Sequence, residues 1–271
     1  MSNHKDARAI VPEPGSKVDI RDYDPEFTDD MDKDEAKTEI ESLRVRLGEL
    51  QDLLYADERY GILVVLQGID TAGKDSTVNS VFQDIGPIGC RLQSFKVPTP
   101  EEAAHDYLWR YRKVTPEKGE VVIFNRSHYE SVLVERVKDI VPKKVWEKRY
   151  DDINEWEDYL VRNGTQVIKF FLMISNDEQR ERLQERVDNP RKQWKFRLGD
   201  LDDRKLWNEY IEAYSDAITH CNTKVAPWHV VPSNHKWYRD VIVARAIIER
   251  LEALDLRYPP ADPAVLGMKV E

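Results

Sequence analysis

Cysteine is almost missing from this 271-residue chain: Cys90 and Cys221 are the two it has. Two distant thiols build no disulfide scaffold, and no Cys/His spacing offers a zinc site. They read as reduced, buried thiols. No apolar run reaches the roughly 20 residues a membrane helix needs. The opening MSNHKDARAI also lacks the apolar segment of a secretory signal. The expectation is a cytoplasmic protein with no membrane contact. Positive charge is in deficit, since 41 Lys and Arg against 51 Asp and Glu leave a net charge of -10. That balance argues against generic nucleic-acid binding. A polyanionic ligand therefore requires a local basic patch. Hydrophobic residues make up 41%, with seven Trp and twelve Tyr, which excludes wholesale disorder. The length suits one large domain or two small ones.

The organisation follows from the periodicity. Residues 1–30 carry Pro12, Pro14, Pro25 and many charges and read as an extended arm. Residues 31–55 read as an amphipathic helix, with Ile40, Leu43, Leu47, Leu50 and Leu54 in one stripe. Packing on the domain is the plainer use of that stripe, and a dimer contact the alternative. The main domain then spans 56–257. Ile62 to Leu66 is a continuous apolar strand between Gly61 and Gly68, and a helix follows to about Ile85. Arg91 to Val97, Val121 to Phe124, Gln166 to Met173 and Trp228 to Val231 read as four more strands. Thr99-Pro100-Glu101-Glu102 and Ser175-Asn176-Asp177-Glu178 are capping boxes that open helices. Further helices are expected over about 132–162, 203–220 and 237–254, with a loosely held tail over 258–271. Strands alternating with helices predict an α/β fold, a parallel five-stranded sheet covered on both faces.

After the first strand, Gly68-Ile69-Asp70-Thr71-Ala72-Gly73-Lys74-Asp75 fits G-x-x-x-x-G-K, the Walker A pattern, between a strand and a helix. Such a loop turns backbone N–H groups around phosphate oxygens, here from Gly68, Ala72, Gly73, Lys74, Asp75 and Ser76, and the helix N-terminus adds partial positive charge. Lys74 is a mobile point charge for the phosphates. Asp75 stands where Ser or Thr usually ligates magnesium. As an acid in the first helical turn it suits the macrodipole. Asp70 lies inside the cradle, where a carboxylate is repulsive unless a cation intervenes. It is either a magnesium ligand, the favoured reading, or it points away.

After the third strand comes Asn125-Arg126-Ser127-His128-Tyr129-Glu130. The carboxyl ends of strands line the crevice of an open α/β sheet, so this segment belongs beside the glycine loop. Asn125 is a neutral residue where such enzymes often hold magnesium with an Asp. Glu130 restores the charge as metal ligand or acceptor contact, or begins a solvated helix. Arg126 offers a guanidinium fork for phosphate. His128 reads as a packed histidine, because phosphate acceptors are already ionised and need no base. Beyond the fourth strand, residues 186–197 hold five cations (Arg186, Arg191, Lys192, Lys195, Arg197) against Asp188, a net +4. Arg180 and Arg182 add charge just upstream. A lid over about 178–205 would bring such groups down on a transferring phosphoryl. Trp194 and Phe196 are expected to anchor it in apolar packing.

These three segments together, through Asp188-Asn189-Pro190-Arg191-Lys192-Gln193-Trp194-Lys195, resemble the polyphosphate kinase 2 family over about residues 35–255. The resemblance implies a thymidylate-kinase-like P-loop fold with a helical lid. It implies magnesium-dependent phosphoryl transfer, with manganese as a substitute, from inorganic polyphosphate to adenine nucleotides, and guanine nucleotides as further acceptors. It gives catalytic roles to Asp70, Lys74, Arg126 and Arg186, and polyphosphate binding to Arg191, Lys192 and Lys195. Asn125, Arg126 and Glu130 face the acceptor; Asp70 and Glu130 hold metal. Asn125 with Glu130 is similar to the subgroup that accepts both AMP and ADP. A homo-oligomer, dimer or tetramer, is expected. The rival readings are an ATP-dependent nucleoside-monophosphate kinase and a non-catalytic polyphosphate-binding protein. Gly89 and the Pro98–Thr99 turn are nucleobase-pocket candidates by position alone.

Overall fold

Five short apolar runs pair into one parallel sheet in the computed structural model, which describes residues 9–269. The first half of the chain runs α1 (Lys33–Asp57), β1 (Gly61–Gln67), α2 (Lys74–Val81), β2 (Cys90–Ser94), α3 (Pro100–Ala103), α4 (Trp109–Arg112) and β3 (Val121–Asn125). Then come α5 (Val134–Val137), α6 (Lys143–Trp146), α7 (Arg149–Arg162), β4 (Thr165–Met173) and α8 (Asn176–Asp188). The chain continues through α9 (Leu198–Lys205), α10 (Trp207–Cys221), β5 (Trp228–Pro232) and α11 (Lys236–Glu252).

The strand order is β2-β3-β1-β4-β5, every pair parallel. β1 lies at the centre, with Val65 opposite Phe124 on one side and Lys169 on the other. Every residue of β1 and β3 is buried, which is why both read as unbroken apolar runs. Successive β1 side chains feed two cores. Ile62, Val64 and Leu66 pack with Leu47, Leu50, Leu54, Val241 and Ile247. Leu63 and Val65 pack with Phe124, Phe171, Ile153 and Ala217. Crossing from β3 to β4 carries the chain past β1, so a crevice opens at the carboxyl ends of these strands.

The α1 stripe is used within the chain. Its apolar face packs on α11, and Arg245 pairs with Glu39 at 2.6 Å beside that seam. The described part of the N-terminal segment lies against α10 and β5. Ile10 bridges Val230 antiparallel, the Val18 amide donates to Thr219, and the Ile20 amide donates to Ser215. Residues 1–8 of the expected arm, and the last two of the expected tail, lie outside the described residues.

Four expectations need correction. The helix expected over 132–162 is three pieces, α5, α6 and α7, because Asp139 is left-handed (φ 50°) and Pro142 precedes α6. The helix expected from 203 is preceded by α9 and broken at Leu206, the junction with α10. β2 stops at Ser94, as an edge strand paired only with β3. The Thr99 box has both reciprocal bonds, but at Ser175 only the Glu178 amide is capped, and the Glu178 carboxylate turns to Arg182.

Candidate active site

The glycine loop, residues 68–73, joins the central strand to α2. Gly73 is left-handed (φ 105°), and a Cβ there would sit 2.1 Å from Nη1 of Arg239. At Gly68 a Cβ would meet the Leu172 carbonyl at 2.8 Å. Neither position admits a side chain, so the backbone itself forms the wall. Thr71 is also left-handed (φ 68°), and its buried Oγ1 has no hydrogen-bond partner.

Lys74 turns its ammonium back toward the loop and donates to the Gly68 carbonyl at 2.7 Å. Burial, and then the nearby Arg126 guanidinium, pull its pKa down to about 8, against the opposing pull of Asp70, Glu130 and Asp75. These five charged groups therefore share one electrostatic site, as the sequence pattern predicts for the two segments.

Each neighbour is held from a different element. Arg126 ends β3 in a left-handed conformation (φ 64°), and its amide donates to the Leu66 carbonyl at 3.1 Å. That bond brings the two strand ends together. Its Nη1 lies 3.9 Å from Glu130, whose charge holds the guanidinium pKa up. Gln67 adds a second tie between the same strand ends, donating to Ser127 at 3.0 Å. Asn125 donates to Asp75 at 2.5 Å. A carboxylate at position 125 would face a carboxylate there, so the amide relieves a repulsion and latches α2 to β3. From α8, Arg186 reaches Asp70 at 2.9 Å and Asp200 at 3.5 Å.

Other predicted lid cations stand apart from the loop. Lys192 pairs with Glu185 at 2.5 Å, and Lys195 lies 5.1 Å from the Trp194 ring centroid. Among the described residues no hydrogen bond or ion pair joins Arg191, Lys192 or Lys195 to residues 68–76. Trp194 is 76% exposed and donates to the Arg191 carbonyl, so it does not anchor the segment as expected. Phe196 is half-buried. Gly89 is misplaced as a nucleobase candidate. It precedes β2, at the amino end of the sheet, and packs on Gln51 and Tyr55. Pro98 and Thr99 follow β2 on the crevice side.

Two arginines escaped sequence reasoning. Arg182, counted there only as added charge, is buried behind the loop. It donates to the carbonyls of Thr71 (2.9 Å) and Ala72 (3.1 Å), and to those of Ser233 (2.7 Å) and Asn234 (3.0 Å). It holds these loop carbonyls on the side of β5; contrary to expectation the Ala72 amide is itself taken, donating to the Ile69 carbonyl at 3.0 Å, so the amides at the start of α2 are the ones left for phosphate. Arg239 lies beneath Gly73. A basic residue four before Arg186, on the same helical face, was the available signal for Arg182; no signal marked Arg239.

His128 is fully buried, as expected of a packed histidine, and shares Glu157 with Tyr129 and Lys169. Burial pushes the His128 pKa down. This network holds the turn His128–Ser131, and thus Glu130, in place.

Central strand, glycine loop, following helix and facing arginines define a P-loop α/β protein built to hold phosphates. Its family is narrower: the model for polyphosphate kinase 2 matches residues 30–259, and the chain belongs to that family. An AMP/ADP-polyphosphate phosphotransferase of Meiothermus ruber is 50% identical over 96% of this chain and 98% of its own. An ADP-polyphosphate phosphotransferase of Rhodopseudomonas palustris is 39% identical over 92% of this chain and 91% of its own. The crystal structure of polyphosphate kinase 2 from Arthrobacter aurescens superposes with a TM-score of 0.89, at 39% identity, over 94% of this chain and 95% of that one.

Proposed function

We propose that this protein transfers the terminal phosphoryl group of inorganic polyphosphate to AMP and to ADP, forming ADP and ATP. One observation carries the reading: Lys74, Arg126 and the Asp70–Arg186 pair, from three separate elements, meet at one backbone cradle. Family membership and the relatives' names support the donor and acceptors.

In the step, the terminal phosphoanhydride P–O bond breaks and a new P–O bond forms to an oxygen of the acceptor's phosphate. The shortened polyphosphate leaves with the bonding electrons. Lys74, Arg126 and Arg186 neutralise charge spread over the transferring oxygens. The acceptor oxygen is already ionised, so no side chain has to remove a proton from it. Glu130 and Asn125 are assigned to the acceptor, a reading supported by Glu130 lying 3.9 Å from Arg126 and by Asn125 directly preceding it.

Magnesium fits this donor set. Asp70 and Glu130, which both act on Lys74 and face Arg186 and Arg126 respectively, would supply its oxygen ligands, since a phosphate-bound magnesium takes one or two carboxylates and completes its shell with phosphates and water. Among the described residues no group of three or more His, Cys, Asp or Glu gathers as a metal cage, which suits a metal that arrives with substrate. When bound, it lowers repulsion between the two anions; manganese serves the same ligands. The reading extends to guanine nucleotides as further acceptors, a cytoplasmic location in keeping with free Cys90 and Cys221, and a homo-oligomer, dimer or tetramer.

Offering AMP, ADP and GDP separately, each with magnesium and either polyphosphate or ATP, tests this. Polyphosphate-dependent formation of ADP from AMP and of ATP from ADP is expected. Phosphorylation of AMP from ATP alone would make the protein a nucleoside-monophosphate kinase. Polyphosphate binding without turnover would make it a binding protein.

The lowered Lys74 pKa also predicts a pH profile. The catalytic form is the ammonium, and it is lost as pH rises through about 8. The kcat/KM for polyphosphate should fall above that pH, while bound polyphosphate raises the lysine's pKa and keeps kcat level further into the alkaline range. A kcat/KM flat to pH 10 would contradict the assignment.

A further inference from the structure

Arg239 is the least explained charge in the molecule. It sits in α11, fully buried. Its Nε and Nη2 both bind one oxygen of Asp240, at 2.8 and 2.6 Å. Its Nη1 has no hydrogen-bond partner. That unpartnered edge faces Gly73, the last loop residue before Lys74, closely enough to forbid a Cβ there. A guanidinium is charged at any working pH, and burying one with an idle donor is costly. Asp240 pairs with the opposite edge of the guanidinium, and burial pushes its own carboxyl pKa up. Arg182 lies close by and has its own carboxylate, Glu178, at 2.6 Å. The unpartnered edge of the guanidinium therefore points at the back of the phosphate cradle.

We propose that Arg239 is a positioning residue for the phosphoryl donor: it braces the Gly73 turn from behind, and its free donor edge, which Asp240 does not reach, is favoured by the donor phosphates on the loop's front. The proposal rests on the donor role given to the loop above. The guanidinium touches no substrate. It acts through the Gly73 backbone, keeping amides aimed forward, and through Coulomb attraction across one thickness of main chain. At an effective dielectric near 20, a charge at such range changes affinity by about tenfold or more.

The test compares Arg239→Met, which keeps volume and loses charge, with Arg239→Lys, which keeps charge. Calorimetric titration with inorganic tripolyphosphate and steady-state kinetics are the readouts. For Arg239→Met, tripolyphosphate affinity should fall about tenfold and the polyphosphate KM rise in parallel, with the nucleotide KM within twofold of the parent. Arg239→Lys should keep tripolyphosphate affinity within about threefold. Parent-like binding by Arg239→Met overturns the role. So does equal damage from both variants to donor and acceptor KM, the pattern of a merely structural residue. If Arg239→Met does not fold, Arg239→Gln carries the same expectations, and failure of all three to fold assigns Arg239 to the scaffold alone. A parent that binds tripolyphosphate but makes no nucleotide from polyphosphate would sink the proposed function while leaving this binding comparison intact.

Discussion

Lys74→Ala is expected to lower turnover with polyphosphate by about 10²–10³-fold, the usual cost of removing one group that stabilises developing charge. The ammonium is the only side-chain cation contributed by the loop itself (residues 68–76), and it lies under the influence of Arg126, Asp70, Glu130 and Asp75 together. Alanine leaves the cradle's amides in place, so polyphosphate still binds and the loss falls mainly on kcat. Stability gives the control. Burial already disfavours this ammonium, as its lowered pKa records. Removing it deletes a desolvation cost along with its one short bond to Gly68. The melting temperature should therefore stay within a few degrees of the parent's. Turnover within tenfold of the parent would reject the site. A collapse in melting temperature would show that the activity loss reports unfolding.

Glu157→Ala is expected to be the most destabilising single change away from the loop, by about 3–5 kcal/mol. Glu157 and Lys169 are both fully buried, joined at 2.5 Å, and Lys169 also donates to Tyr129 and to the Cys221 carbonyl. Burial pushes the Glu157 carboxyl pKa up, but Lys169 and His128 outweigh it and hold it below the ordinary value. Its stabilisation is thus present at neutral pH and is lost as pH falls through the carboxylate range. His128 works in the same direction: its lowered pKa keeps it neutral in the fold, while the unfolded chain takes up the proton below about pH 6.5. Acid lability should be pronounced in the parent. Denaturant titration of Glu157→Ala checks the magnitude, and a loss under 1 kcal/mol would refute the account. Combining Glu157→Leu with Lys169→Met should recover most of the loss, because no lone charge then remains buried.

The elements that positioned the site were readable in the residues. VVIF and ILVVL have no polar alternation, so burial on both faces was implied, and with it the parallel sheet. Gly73 and Lys74 announced the cradle through spacing alone. In the lid, summed charge is less informative than its pairing. Summing charge over residues 186–197 treated five cations as one patch, whereas pairing divides them: Arg186 goes to Asp70, and Lys192 goes to Glu185, seven residues back in α8. Trp194 looked like an anchor because it is large and apolar, yet it stays exposed beside Lys195. Arg182 and Arg239 were opaque for another reason. Besides Glu178 and Asp240 beside them in sequence, Arg182 binds the carbonyls of residues 71, 72, 233 and 234 and Arg239 lies against Gly73, and main-chain neighbours more than 50 residues away leave no periodic trace.

The basic segment is stapled at both ends. Arg182 fastens the body of α8 to the loop and to the end of β5, and Arg204 returns from α9 to hold Asn176 and Gln179 at the start of α8. Between those staples the arc 189–197 is tied back to α8 by Gln193, which donates to the Val187 carbonyl at 2.8 Å, and by the Lys192–Glu185 pair. Arg186, which lies between those two staples and reaches Asp70, is thus carried on a braced helix rather than on a free loop.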